Sequence, residues 1–372
     1  DKLTEAYKVV DINNSTKEQG VQMILGLGKK IIKMKKPIAL IWNDVHLKNG
    51  NEEEVLIAFR YMIEKAKELG IKRTIFAGDL FDSRTMQRLK VLQTFDTMLD
   101  ELHQAGMTTD LISGNHDKTV YASYDSFLES YRHHPGVNYY RGITELEYSG
   151  VKFTYLPFFS DDMLIPMLEE SKGSDILISH FEMAGSTHLG RTSEKTAINQ
   201  KLLKKWKKVY LGHYHNWHEI SKDIVHLPSF IQASFGEDSN KGFTILYDDL
   251  SYEIIQGRFK HYTKVVIDLN KEGIIHIKSL IKQYKNSVDT IRFEFIGEES
   301  KLKALDKSIF KDTGINVVIK YENKYEIEDT KTPEIIEHYD KEQVRGSFKD
   351  FCDKKNLKHK EGLELLEEFL KQ

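Results

Sequence analysis

A single cysteine, Cys352, and only six prolines occur among 372 residues. One cysteine excludes an internal disulfide framework and fits a reducing compartment, so a cytoplasmic protein is expected. With so few prolines and no biased tract, a long disordered linker is not expected. No apolar run approaches the roughly 20 residues of a membrane helix, which argues against a membrane protein. An excess of one charge sign is also lacking. The formal net charge is −3, which argues against coating nucleic acid through bulk charge and leaves room for a local basic face. What is present is 40% hydrophobic and 30% charged residues, the composition of a globular protein with a sizeable core. At roughly 100–200 residues per domain, the length implies two domains with an appendage.

Residues 1–33 are mixed in character, and their apolar stretch 21–27 is followed, not preceded, by lysines. That is the wrong order for a signal peptide, and the segment is read as an N-terminal extension with no role assigned. From 34 to 257 the text is patterned. Residues 38–42 form a short apolar run that stops at polar residues. Val55, Phe59, Met62, Ala66 and Leu69 then recur at spacings of four and three, one face of a helix closed by Gly70. Residues 74–77 read as a second strand, Leu89, Leu92, Phe95, Leu99 and Leu102 as a second helix, and 111–113 as a third strand. Such alternation implies crossover connections and strands covered on both faces. Runs at 151–157, 175–179 and 209–211 follow, and short strands with turn signals over 216–257 suggest a second sheet packed on the first.

Residues 258–325 look separate. They read as strand, helix, strand, helix, strand, and carry fourteen Lys and Arg against nine Asp and Glu. Residues 326–372 carry nine against thirteen, with Phe348, Phe351, Leu363, Leu366, Phe369 and Leu370 at helical spacing. The expected fold class is α/β: a two-sheet sandwich at 34–257, a small basic α/β module at 258–325 and a tail of amphipathic helices at 326–372.

An α/β sheet places its functional groups at strand ends, where loops gather in one crevice. Read in order, those ends are Asp44-Val45-His46, Gly78-Asp79-Leu80-Phe81-Asp82, Gly114-Asn115-His116-Asp117, His180 and Gly212-His213-Tyr214-His215. Carboxylate, imidazole and amide oxygen suit divalent ions such as manganese, iron or zinc. The lack of thiolates fits a catalytic site better than a structural zinc site. Seven potential ligands exceed what one ion takes and suit two, if one carboxylate bridges. Alternate residues of an extended segment project to one side, so Asp44 and His46 can reach one ion, and His213 and His215 share that spacing. Each glycine lets the backbone turn closely. Taken singly, a strand-end Asp or His is most often a turn residue or helix cap. Five such blocks in order, each abutting a strand, point to a metal site.

These blocks resemble the signature of the calcineurin-like metallophosphoesterases: D-x-H, G-D-x-x-D, G-N-H-D/E, H, then G-H-x-H. Leu227-Pro-Ser-Phe-Ile-Gln-Ala-Ser-Phe-Gly-Glu237, with Lys241-Gly242-Phe243, narrows the likeness to the SbcD-type DNA nucleases, over about residues 35–260. The resemblance implies that Asp44, His46, Asp79 and His215 hold one ion, and that Asp79, Asn115, His180 and His213 hold the other. The ions are expected to be two divalent cations, Mn2+ by preference. It implies that His116 faces the scissile phosphate, with Asp82, a histidine in some relatives, in a supporting role. It further implies hydrolysis of DNA phosphodiesters in repair or recombination, with 258–325 as a DNA-gripping cap. The tail would dock on an SbcC-like ATPase, within a heterotetramer built on a homodimer, in a cell or, for a phage gene, in the host cytoplasm. The alternative is a metallophosphoesterase acting on small phosphodiesters or phosphoproteins, because the metal blocks specify phosphate-ester chemistry and not the leaving group.

Other features carry less. Lys201, Lys204, Lys205, Lys207 and Lys208 surround Trp206 and could track a phosphate backbone, but such a run is more often a solvated helix face. Arg84 is placed to touch DNA but belongs to no pattern. His133, His134 and His188 lie outside the blocks and read as surface residues. Gly26-Leu27-Gly28-Lys29 lacks the spacing of a phosphate loop.

Overall fold

The computed structural model describes residues 35–188, 191–192, 196, 198–320 and 348–349. The N-terminal extension with its glycine–lysine stretch, Cys352 and nearly all of the expected tail helices lie outside the described residues. In chain order the first elements are β1 (Pro37–Trp42), α1 (Glu52–Glu68), β2 (Arg73–Ala77), α2 (Leu89–Gln104), β3 (Thr108–Ile112) and β4 (Val137–Tyr139). Next come β5 (Thr144–Tyr148), β6 (Val151–Leu156), α3 (Asp161–Glu170), β7 (Ile176–His180), β8 (Thr187–His188), β9 (Arg191–Thr192), α4 (Gln200–Leu203) and β10 (Lys208–Gly212). The last are β11 (His218–Ser221), β12 (Ile224–His226), β13 (Gly242–Tyr247), β14 (Tyr252–Gln256), β15 (Tyr262–Asp268), α5 (Ile274–Tyr284), β16 (Thr290–Ile296), α6 (Glu299–Lys303) and β17 (Asn316–Ile319). Among the described residues, no helix is long and apolar enough to cross a membrane.

Two six-stranded sheets, β14-β13-β1-β2-β3-β4 and β11-β12-β10-β7-β6-β5, form an α/β sandwich. Alternation along β1 shows how it packs. Ala39 and Ile41 join Ile75, Ala77 and Ile112 against Phe153, Tyr155, Ile178 and Tyr210 of the other sheet. Leu40 and Trp42 face the opposite way, toward Val55, Phe59 and Met62 of α1 and Phe95 and Leu99 of α2. A third cluster packs Leu164 and Leu168 of α3 and Trp206 on the far side of the second sheet. Strands covered on both faces read as continuous apolar runs, which is how β1 and β2 were legible.

The strands of 216–257 divide between the sheets. β12 extends the second sheet beside β10, whereas β13 returns to the first and pairs antiparallel with β1, Ile41 opposite Thr244. That pairing joins residues about 200 positions apart, which local periodicity cannot encode. Beyond it, β15, β16 and β17 form a separate parallel sheet around its own core of Ile267, Phe293, Phe295 and Phe310.

One buried carboxylate ties the two large sheets together. Asp110 on β3 accepts from Arg73 Nε (2.6 Å) and Nη2 (2.9 Å), Asn138 (3.0 Å), Tyr140 (3.1 Å) and, across the interface, Tyr155 of β6 (2.7 Å). Removing it would leave a guanidinium and two phenols unpaired in the interior. Asp110→Ala is therefore expected to cost about 3–5 kcal/mol, measured by urea denaturation; a loss below 1 kcal/mol would contradict the clamp.

Candidate metal centre

Within each sheet the neighbouring central strands run parallel, so their C-terminal ends share an edge. The loops after β1, β2, β3 and β10 and the last residue of β7 meet there. They surround a cleft of about 450 Å³ lined by His46, Asp79, Asn115, His116, His213 and His215, among others. Asp44, Asp79, Asn115, His46 and His180 are buried.

The backbone is bent sharply to bring them together. Asp44 (φ 50°), His46 (φ 47°), Asp79 (φ 58°) and His213 (φ 88°) all lie in the left-handed region, which costs a non-glycine residue of order 1–3 kcal/mol each. Gly78 (φ 93°) also permits close approach: a Cβ there would sit 2.5 Å from His180 Nδ1, and one on Gly114 would collide with the Asp79 carboxylate.

All seven expected ligands converge. His46 Nε2 lies 3.0 Å from His215 Nε2, and Asp44 Oδ1 is 3.9 Å from each. Asn115 Oδ1 lies 3.2 Å from His180 Nε2 and 2.9 Å from His213 Nδ1. Asp79 stands between these sets, with Oδ2 3.7 Å from His46 Nε2 and 3.3 Å from His180 Nε2. The triads Asp44–His46–His215 and Asp44–Asp79–His180 each bring three donor atoms within 4.8 Å of one another. The donor set of carboxylate, imidazole and amide oxygen fits divalent cations.

His116 and Asp82 sit at the rim. His116 Nδ1 donates to the Asp82 carbonyl (2.7 Å), which leaves Nε2 toward the cleft, 3.1 Å from Arg84 Nη2. Arg84 also bonds the Tyr121 hydroxyl. The Asp82 carboxylate is 41% exposed, pairs with Lys48 at 3.2 Å and stands 3.8 Å from His46 Nδ1.

Two acids that sequence reading left without a role hold this arrangement. Asp117 is buried and accepts N–H bonds from Asp79, Leu80, Phe81 and Gly114 at 2.9–3.1 Å. Glu237 accepts from His215 Nδ1 at 2.9 Å. Both letters stand inside the quoted motifs, but their partners are backbone amides and a distant ring, which spacing does not reveal.

Burial and the clustered carboxylates shift the imidazoles in opposite directions. Burial pushes His46 down to about 4 and His213 well below its usual value. Burial also opposes charge on His180, yet the Asp79 and Asp44 carboxylates overcome it and hold that imidazole up at about 9. His215 is raised as Glu237 outweighs burial. Burial would raise Asp79, but His180 and His46 hold it well below the carboxylate range, whereas burial and the Asp79 charge push Asp117 up to about 7.

Of the lysine run, Lys201, Lys204 and Lys207 are exposed, as expected of a solvated face. Lys205 Nζ donates to the carbonyls of Leu168, Glu169 and Ser171, closing α3. Lys207 pairs with Asp175, and Lys208 with Asp223. His134 pairs with Asp100, and His133 is exposed. His188 lies in β8, where side chains are outside the description.

No family model matches the chain. It is 28% identical over 158 residues to exonuclease subunit 1 of Enterobacteria phage T4, covering 41% of this chain and 46% of that protein. The match thus spans less than half of that relative's length. Among solved structures, a dimetal phosphatase from Danio rerio aligns with 57% of this chain and 93% of its own, at 12% identity and a TM-score of 0.40. The Pseudomonas putida nuclease MPE aligns with 59% and 87%, at 14% identity and a TM-score of 0.29.

A ligand imidazole must be deprotonated at the nitrogen that binds. With His180 held at about 9, it carries an extra proton at pH 7, so binding a divalent cation should release protons and weaken as pH falls. Calorimetric titration with Mn2+ in buffers of different protonation enthalpy reads this directly; heats independent of buffer would refute it.

Proposed function

We propose that this chain is the nuclease subunit of an SbcD-type complex, a two-metal phosphodiesterase that hydrolyses DNA during repair or recombination. The observation that carries the reading is the convergence of seven donors from five separate strand ends around Asp79. The likeness to a phage exonuclease subunit supports a nuclease over an enzyme of small phosphodiesters.

Asp44, His46, Asp79 and His215 would hold one divalent cation, Mn2+ by preference, and Asp79, Asn115, His180 and His213 the other. When bound, such a pair lowers the pKa of water and neutralises charge that grows on a phosphoryl group. The protein's own part is orientation. His180 donates an Nδ1–H hydrogen bond to the Ala77 carbonyl at 2.9 Å and His215 donates one to Glu237, so each points Nε2 inward. Arg84 leaves His116 when a phosphate arrives, because a guanidinium pairs bidentately with phosphate oxygens. His116 Nε2 then faces the leaving 3′ oxygen, the position of a general acid.

The basic module at 258–325 would cap the cleft and grip duplex DNA. The tail at 326–372 would lay its apolar stripe on an SbcC-like ATPase, a helix-in-groove mode, within a heterotetramer built on a homodimer in the cytoplasm. These assignments follow from the nuclease reading and the charge distribution of the sequence.

Mn2+-dependent cleavage of linear duplex DNA is compared with that of a chromogenic diester. Duplex DNA should be degraded, and chelation should abolish the reaction. His116→Ala should keep Mn2+ binding and lose cleavage by roughly 10²–10⁴-fold. Hydrolysis of the small diester with DNA untouched would instead favour an enzyme of small phosphodiesters or phosphoproteins.

A further inference from the structure

Residues 229–241 lie between the candidate centre and the three-stranded module, and they bond to both. The segment starts beside the Asp44 loop. Phe230 is buried against Trp42, with ring centroids 5.8 Å apart, and its N–H donates to the Asn43 carbonyl at 2.9 Å. The segment ends at Lys241, a fully buried lysine whose Nζ donates to the His215 carbonyl (2.7 Å) and to Asn216 Oδ1 (2.6 Å).

Glu237 lies between these anchors, with its side chain only 4% exposed. Oε1 is 2.9 Å from His215 Nδ1, and Oε2 accepts the Ala233 N–H at 3.0 Å. A carboxylate behind an imidazole fixes the ring's tautomer and direction and raises its basicity as a ligand.

The same few residues hold the module. Gln232 is buried; its Oε1 accepts from the Tyr262 N–H at 2.9 Å, and its Nε2 donates to the Glu237 carbonyl at 3.0 Å and to the Tyr262 carbonyl at 3.4 Å. Phe235 meets Tyr262 edge-on at 5.0 Å and lies under the Arg292 guanidinium at 3.8 Å. Tyr262 opens β15 and Arg292 belongs to β16. A shift of the module therefore pulls on the backbone that carries Glu237.

We propose that Glu237 is a positioning residue for His215, and that residues 229–241 make the affinity of the ion site containing His215 depend on how the β15–β17 module is docked. The inference rests on reading the centre as a two-metal site. It follows that a ligand bound on the module and a cation at His215 change each other's affinity by the same factor. DNA gripped by the module would thus strengthen cation binding where it is needed, and loss of the grip would weaken it.

The test is titration of the full chain with Mn2+, by calorimetry and by electron paramagnetic resonance of free and bound ion, without DNA. Wild type should bind two ions. Glu237→Gln, which keeps the shape and an oxygen but drops the charge, should weaken one site about 10–100-fold and spare the other. Arg292→Ala and Phe235→Leu touch no candidate ligand and should weaken that same site about 2–30-fold. Circular dichroism and melting temperature check that each variant is folded; should Glu237→Gln fail to fold, the other two variants decide. Unchanged Mn2+ affinity in folded Glu237→Gln overturns the positioning role. Weakening there with no change in Arg292→Ala or Phe235→Leu overturns the link to the module. Two intact Mn2+ sites in all variants defeat the inference alone, whereas a wild type that binds no Mn2+ defeats the metal reading and the inference with it.

Discussion

The buried carboxylate of Asp117 is the interaction on which the strand-end architecture depends. It gathers amides from the loop after β2 and from the loop after β3, so two crossover connections end on one side chain. Four amide donors fill both oxygens of that side chain, each such bond contributing roughly 0.5–1.5 kcal/mol. They supply the free energy that keeps Asp79 in a left-handed conformation beside a second acid. With its backbone fixed, Asp79 accepts the His116 N–H at Oδ1 (2.7 Å) and turns Oδ2 toward His46 and His180.

That arrangement stores strain, and the sandwich tolerates it. The left-handed residues Asp44, His46, Asp79 and His213 cluster at one edge, while the core behind them is continuous from Trp42 through Phe59, Phe76 and Phe230. Burial of large apolar side chains, at about 1.5–3 kcal/mol each, offsets several such distortions. Repulsion between buried acids adds to the cost, and the neighbouring imidazoles and backbone amides reduce it. The site is therefore dictated by its frame.

Much of this was legible because each donor follows directly on an apolar run. Asp44 and His46 stand two apart, as do His213 and His215, although a left-handed backbone at Asp44, His46 and His213, and not the expected extended segment, brings them in; glycine precedes the Asp, Asn and His of the later loops. The fold class was legible for a related reason: strands covered on both faces and helices with one apolar face write different periods. Other features were illegible because their partners are remote or lack side chains. Asp117 binds amides, Glu237 meets His215 from 22 positions away, and Arg84 reaches His116 across 32. The lysines around Trp206 read as a solvated face more readily than as a phosphate track, but neither reading shows that Lys205 closes α3.

Local periodicity and residue type fix the main strands and helices, the order of the strand ends and the chemistry of their donors, while β4, β5 and α3 carry too weak a pattern to be read. Long-range packing alone returns β13 to β1, stands Asp79 between two sets of donors, and bonds one short segment to both His215 and the C-terminal module. Those outcomes are pairings between residues far apart in the chain, settled by which surfaces bury and which polar groups find partners, and no local pattern records them.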